Sequence, residues 1–227
     1  MCGRYSLVTD YDTLQSRFDI KNEGRLPVLP RYNIAPTQEI AVITNSQQGN
    51  HLTTMKWGLI PPWATSQSLG NRMINARAET LLERPSFRNA FLHSRCLIPA
   101  DGFYEWMPTA RNRIPIRITL INTKLFAFAG LWETWHNPTT GTWIKSCSVI
   151  TTSANDLMRP IHNRMPVILK PTDEASWIDS STQDVHALKQ LLQPYDQAEM
   201  DAYEVATLVN SPRNDMVDCI ARVNWLI

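Results

Sequence analysis

Between Cys96 and Thr151 the chain carries five strand candidates in succession: Cys96 to Ile98, Phe103 to Met107, Ile114 to Ile121, Phe126 to Trp132 and Thr142 to Thr151. In the third, Ile114, Ile116, Ile118 and Leu120 alternate with Pro115, Arg117 and Thr119. That period of two places one apolar face against a core. Asn137 to Gly141 (NPTTG) supplies a hairpin loop. Two earlier strands, Glu39 to Thr44 and Leu52 to Trp57, flank a polar turn at Asn45 to Asn50. Two later ones are expected at Val205 to Val209 and Ile220 to Val223.

Helices are scattered around these strands. Asp10 to Phe18 places Leu14 and Phe18 at i and i+4. Arg77 to Leu92 reads as a helix interrupted at Pro85. Shorter helices are expected at Ser153 to Met158, Asp173 to Ile178 and Val185 to Leu192, and Glu23 to Pro30 reads as a loop. The order is neither regular βαβ nor all-β. The expected fold is a single α+β domain over residues 1–227, with a curved, largely antiparallel, barrel-like sheet and peripheral helices. Fifteen Pro against eight Gly fit fixed turns and short strands better than long helices.

The net charge of +1 does not mark a nucleic-acid binder, but its distribution is uneven. Residues 1–120 carry a net of +5 and residues 121–227 a net of −4. Arg makes up 16 of the 22 cations, and its fork suits phosphate better than Lys does. A folded surface with intermixed charges is the alternative. Cys2, Cys96, Cys147 and Cys219 form no C-x-x-C pair, so neither a zinc site nor a disulfide framework is expected. Met1 to Asp10 lacks the apolar core of a signal peptide. The longest uncharged apolar stretch, Leu125 to Trp132, is too short to span a bilayer. A cytoplasmic protein with no membrane partner is the expectation. G-x-S-x-G, H-E-x-x-H, Walker A and G-x-G-x-x-G are all absent, so metal, nucleotide and serine-hydrolase readings have no support and no cofactor is expected.

Four segments hold residues suited to chemistry. Aminopeptidases remove Met1 before a small second residue, and Cys2 qualifies. The mature chain then carries an α-amine with a reference pKa of about 8 beside a thiol of about 8.5. Such a 1,2-aminothiol condenses with an aldehyde to an imine and closes through sulfur to a thiazolidine, which no internal cysteine can do. The alternative is an incidental Cys2. Asn75 and Arg77, in Asn75-Ala76-Arg77-Ala78-Glu79-Thr80, could offer an amide and a guanidinium to a ligand, or Asn75 could simply cap a helix. In Phe103-Tyr104-Glu105-Trp106, strand alternation puts Glu105 on the side of Phe103. A carboxyl half-buried there could serve as general acid and base, whereas on an edge strand it would sit in solvent. His162, held between Pro160 and Pro166 and followed by Arg164, is poised for proton transfer or for structural hydrogen bonding.

Taken together, Met1-Cys2-Gly3-Arg4-Tyr5, Arg31-Tyr32-Asn33-Ile34-Ala35-Pro36-Thr37, Trp57-Gly58-Leu59-Ile60-Pro61, Asn75 to Thr80, Phe103 to Trp106, Thr151-Thr152-Ser153-Ala154-Asn155 and His162-Asn163-Arg164-Met165-Pro166 stand in one order. That order resembles the SRAP family (SOS-response-associated peptidase), whose members crosslink to abasic sites in single-stranded DNA. The resemblance runs from residue 2 to about residue 212, with no departure at the principal catalytic positions.

The resemblance implies that Cys2 forms a thiazolidine with the ring-opened abasic aldehyde. Asn75 would align the amine or the sugar oxygens, Glu105 would shuttle protons, and His162 would serve the sugar hydroxyl. It also implies DNA contacts at Arg4, Asn33, Pro36, Arg77, Thr151 and Arg164. Trp57 and Trp63 are candidates for base stacking, with core packing as the alternative. The implied partner is single-stranded DNA with abasic sites, bound by a monomer that associates with the nucleoid through DNA. Two further readings remain: a cysteine peptidase that processes itself at Cys2, and a non-covalent single-stranded DNA binder.

Overall fold

The computed structural model describes residues 2–182 and 184–223. Its strands are β1 (Tyr5–Leu7), β2 (Arg31–Ile34), β3 (Glu39–Ser46), β4 (Gly49–Trp57), β5 (Asn75–Arg77), β6 (Arg95–Ala100), β7 (Gly102–Pro108), β8 (Arg113–Leu120), β9 (Phe126–His136), β10 (Trp143–Ser153), β11 (Arg164–Pro166), β12 (Ile168–Leu169) and β13 (Met200–Glu204). Its α-helices are α1 (Tyr11–Phe18), α2 (Pro85–His93), α3 (Pro171–Ile178) and α4 (Val185–Gln190).

β3, β4, β10, β9 and β6 close on one another into a five-stranded barrel. Closure pairs each of these strands on both sides, and β10 runs on beyond the barrel pairings. All its pairings are antiparallel except β10 with β4, so the expected barrel is present in mixed form. A second sheet, in the order β13-β8-β7-β1-β2, packs against it. Aromatic side chains join the two. Tyr5 meets Trp57 and Phe128 edge-on at 5.3 and 5.9 Å, and Phe103 meets Phe128 at 6.0 Å. Such geometry places ring edges against π faces and adds to the area buried.

The helices follow their local signals. Asp10 caps α1, its carboxylate accepting from the Thr13 N–H at 2.8 Å. Leu14 and Phe18 are buried as their spacing requires. Arg95 on β6 is buried, and its guanidinium donates to the carbonyls of Phe91, Leu92, Trp177, Asp179 and Thr182. It therefore ties the ends of α2 and α3 to the barrel wall.

Several expectations are corrected. Arg77 to Leu92 is not one broken helix: Pro85 opens α2 at its first turn, where its missing N–H costs nothing. The residues before it form β5 and a short 3₁₀ turn. Asn75 is thus a strand residue, not a helix cap. Ser153 to Met158 is not helical, because β10 runs on to Ser153 and a turn follows. The late strand is Met200–Glu204, and Val205 to Val209 leads into a 3₁₀ turn. Beyond it, Arg222 forms only an isolated bridge with Val205. No helix among the described residues is long and apolar enough to cross a membrane.

Candidate active site

The C-terminal half of β10 assembles most of the site. β5 lies parallel to it, with Asn75 opposite Val149 and Arg77 opposite Thr151. β11 lies antiparallel on the other side, with Arg164 opposite Ser153 and Pro166 opposite Thr151. Two sequence-distant motifs, around Asn75 and around His162, therefore flank one strand. The loop that delivers β5 is pinned by glycine. A Cβ at Gly58, whose φ is +132°, would lie 2.7 Å from the Gly70 carbonyl oxygen. That contact and a Leu59 N–H bond to the Met73 carbonyl close the loop just before Asn75.

Cys2 arrives from the second sheet. β1 pairs with β7 through Tyr5 opposite Phe103 and Ser6 opposite Gly102, and the Tyr104 N–H donates to the Arg4 carbonyl at 2.9 Å. This register carries the chain's start along β7 towards Glu105. Cys2 is fully buried. Its carbonyl accepts from Asn75 Nδ2 at 2.8 Å. Asn75 Oδ1 is buried with no hydrogen-bond partner among the described residues, so it is an acceptor available to a ligand. Glu105 lies opposite Ile116 on β8 and is 5% exposed. It is therefore an interior carboxyl on the Phe103 side of the sheet, not an edge residue in solvent. Burial, and then the Glu105 charge, push the Cys2 thiol well above its ordinary range. The sulfur is thus held as the neutral thiol at neutral pH.

His162 follows a turn in which its own N–H donates to the Met158 carbonyl. Its Nδ1 accepts from the Arg164 N–H at 3.0 Å, so the neutral ring carries its proton on Nε2. The Arg164 carbonyl lies 3.2 Å from the same Nδ1.

The cationic residues differ in what they hold. Arg4 Nη1 donates to Asn33 Oδ1 at 2.8 Å and to the Val209 carbonyl at 2.7 Å, and its guanidinium stacks over Trp106 at 5.6 Å. Arg77 is exposed and forms no ion pair among the described residues. Arg164 donates from Nε to Thr151 Oγ1 and from Nη2 to the Thr151 carbonyl. It also grips the Glu79 carboxylate through both Nη atoms.

Three of the expected DNA contacts are corrected. Trp57 is fully buried against Tyr5, its indole N–H donating to the Ile74 carbonyl at 2.9 Å, so it offers no face to a base. Asn33 is buried rather than at the rim. Its Nδ2 lies within 3.2 Å of the carbonyls of Val209, Ser211 and Asn214 and anchors the C-terminal segment. Thr151 is buried beneath Arg164 and acts through it. Pro36 is half-buried at the turn after β2. Trp63, by contrast, is 59% exposed and borders a cavity of about 510 Å³ with Asn71 and Arg72. Two residues escaped the sequence reading. Glu79 stands inside a motif already singled out, but its pairing needs β11. Asp215, which accepts from the backbone N–H groups of Tyr32 and Asn33 and pairs with Arg31, has no local signal at all.

Fold and site together define a mixed-barrel protein in which Asn75 holds a buried Cys2 beside Glu105, while the segment carrying His162 and Arg164 flanks the same end of β10. The family model for SOS response associated peptidase (SRAP) matches residues 1–212, and the chain belongs to that family. It is 47% identical over 224 residues to the abasic site processing protein YoqW of Bacillus subtilis, covering 97% of this chain and 99% of that one. It is 28% identical over 225 residues to the abasic site processing protein HMCES of Xenopus tropicalis, covering 86% of this chain and 66% of that one. A crystal structure of a Bacteroides thetaiotaomicron protein superposes with a TM-score of 0.90 at 28% identity, over 98% of this chain and 100% of the other.

Proposed function

We propose that this protein processes abasic sites in single-stranded DNA by capturing them covalently through Cys2. The observation that carries the reading is the Asn75 bond to the Cys2 carbonyl beside a buried Glu105. It fixes the residue that would begin a mature chain next to a buried carboxyl group. The names of the relatives point to the same substrate.

In the proposed sequence, the ring-opened abasic sugar exposes an aldehyde at C1′. With Met1 removed, the Cys2 amine attacks that carbon through its nitrogen lone pair. The carbinolamine loses its hydroxyl as water, leaving an imine. The thiol sulfur then adds to the imine carbon and its proton ends on the nitrogen, closing the thiazolidine. One water leaves overall and nothing is oxidised. A neutral buried thiol suits this order, because the amine reacts first and sulfur follows within the ring. Glu105 moves protons during ring opening and dehydration. His162, with its proton on Nε2, serves the sugar hydroxyl. Asn75 holds the Cys2 backbone and offers Oδ1 to the amine or a sugar hydroxyl. In this reading Arg77 and Arg4 contact phosphates and Trp63 stacks on a base, which the exposure of Arg77 and of the Trp63 ring supports.

The test is denaturing gel electrophoresis of protein with Met1 removed, mixed with an oligonucleotide carrying one abasic site. The expected product is a covalent band that needs both the abasic site and Cys2 and is absent in Cys2→Ala. A band of full yield in Cys2→Ala, or none with correctly processed wild type, sinks the reading. The second outcome would favour peptide-bond chemistry at Cys2 or non-covalent binding.

A further inference from the structure

Of the three arginines assigned to the DNA side of the site, only Arg164 is already held by a carboxylate. Arg4 donates to neutral oxygens, and Arg77 is exposed with no ion pair among the described residues. Arg164 bonds Glu79 in the two-pronged geometry that guanidinium also uses for phosphate, with Nη1–Oε1 at 3.1 Å and Nη2–Oε2 at 2.9 Å. Its Nε and Nη2 are further tied to Thr151. A guanidinium has five N–H donors. Four are engaged, so a phosphate arriving at Arg164 finds one left and a like charge beside it.

The two partners differ in mobility. The Arg164 side chain is 14% exposed and anchored on the buried Thr151. Glu79 sits in a one-turn 3₁₀ segment with its side chain 52% exposed. Glu79 can therefore leave while Arg164 stays in place. Burial works against the Glu79 charge, yet the Arg164 bonds and charge, with Arg77 nearby, hold its pKa below the ordinary carboxylate value. It is thus an anion at neutral pH.

We infer that Glu79 is a specificity-determining residue that occupies the phosphate seat of Arg164 and is exchanged for a backbone phosphate when single-stranded DNA binds. The inference rests on the proposed DNA-binding reading. Glu79 lowers the affinity for any polyanion, so only a strand that also engages Arg77 and the pocket displaces it. It also keeps Arg164 extended over β10 in the free protein.

The experiment measures fluorescence anisotropy of a labelled single-stranded oligonucleotide without an abasic site, so that only reversible binding is read. Glu79→Gln and Glu79→Ala are expected to bind about two- to fivefold more tightly than wild type, the scale of a half-exposed ion pair. The exposed neighbour Glu83→Gln, which reports general charge removal, is expected to change binding less. In an Arg164→Gln background the gain from Glu79→Gln should disappear. Unchanged or weaker binding in both Glu79 variants overturns the inference, as does an undiminished gain in the Arg164→Gln background. Lower affinity together with a lower unfolding midpoint would assign Glu79 a structural role and also overturns it. Absence of binding by wild type would instead defeat the DNA-binding reading on which it stands.

Discussion

Trp57 and Trp63 stand six positions apart and have opposite fates. Trp57 ends β4, where the barrel wall turns its ring inward onto Tyr5. Trp63 lies on the loop closed by Gly58 and Gly70, where its ring stays in solvent. Truncation should separate the two roles. Trp57→Ala empties a core site and is expected to cost about 3–5 kcal/mol of stability. Trp63→Ala is expected to leave the urea midpoint within experimental error and to weaken single-stranded DNA binding about tenfold, the scale of one lost base stack. Equal stability losses at the two positions, or no change in binding for Trp63→Ala, would contradict this division. The sequence could not make it, because both residues are single Trp side chains beside glycine or proline.

At the scale of elements, strand alternation was the most readable signal. Ile116 and Ile118 face inward, and the same alternation carries Glu105 to the Phe103 side. β5 was not legible. Asn75-Ala76-Arg77 is three residues long, and its strand character exists only because β10 offers an edge beyond the end of β4. The barrel strand β9 supplies a test of buried charge. Glu133 is 7% exposed and accepts from Asn89 Nδ2 on α2 at 3.1 Å. Burial raises its pKa, opposed by the Asn89 bond. A raised folded-state pKa means the protonated form is favoured on folding, so stability is fully present below the unfolded value and is lost as pH rises through the folded one. Glu133→Gln is therefore expected to gain stability relative to wild type as pH rises from about 4, below the unfolded carboxyl value, to about 7. Chemical unfolding at the two pH values checks this. A variant that loses ground as pH rises would show that the charge is compensated.

At the scale of the whole molecule, Arg95 links the barrel to α2 and α3 through carbonyls at their ends. Two of these carbonyls, of Phe91 and Trp177, belong to fully buried residues. Arg95→Met keeps the apolar stem and removes the donors. It is expected to lower stability by about 3 kcal/mol in urea unfolding, because the lost bonds leave unsatisfied acceptors. A change under about 1 kcal/mol would mean that water replaces the guanidinium. The C-terminal segment is likewise held from afar: Asn33 and Arg4 grip it from one side, and Asp215 bonds back to β2. Asn33 was expected at the DNA and is instead a buried support of this segment, to which Arg4 is bonded through Nη1.

The sequence by itself determined the alternating strands, the α+β composition, the family order of motifs and the chemical identity of Cys2, Asn75, Glu105 and His162. Each of these is a property of residue type, local period or spacing, which a linear chain displays directly. Tertiary structure alone decided the mixed closure of the barrel, the burial of Trp57, Asn33 and Thr151, and the pairing of Arg164 with Glu79. Those depend on which strands become neighbours. Glu79 and Arg164 are 85 residues apart and meet only because β5 and β11 flank the same stretch of β10.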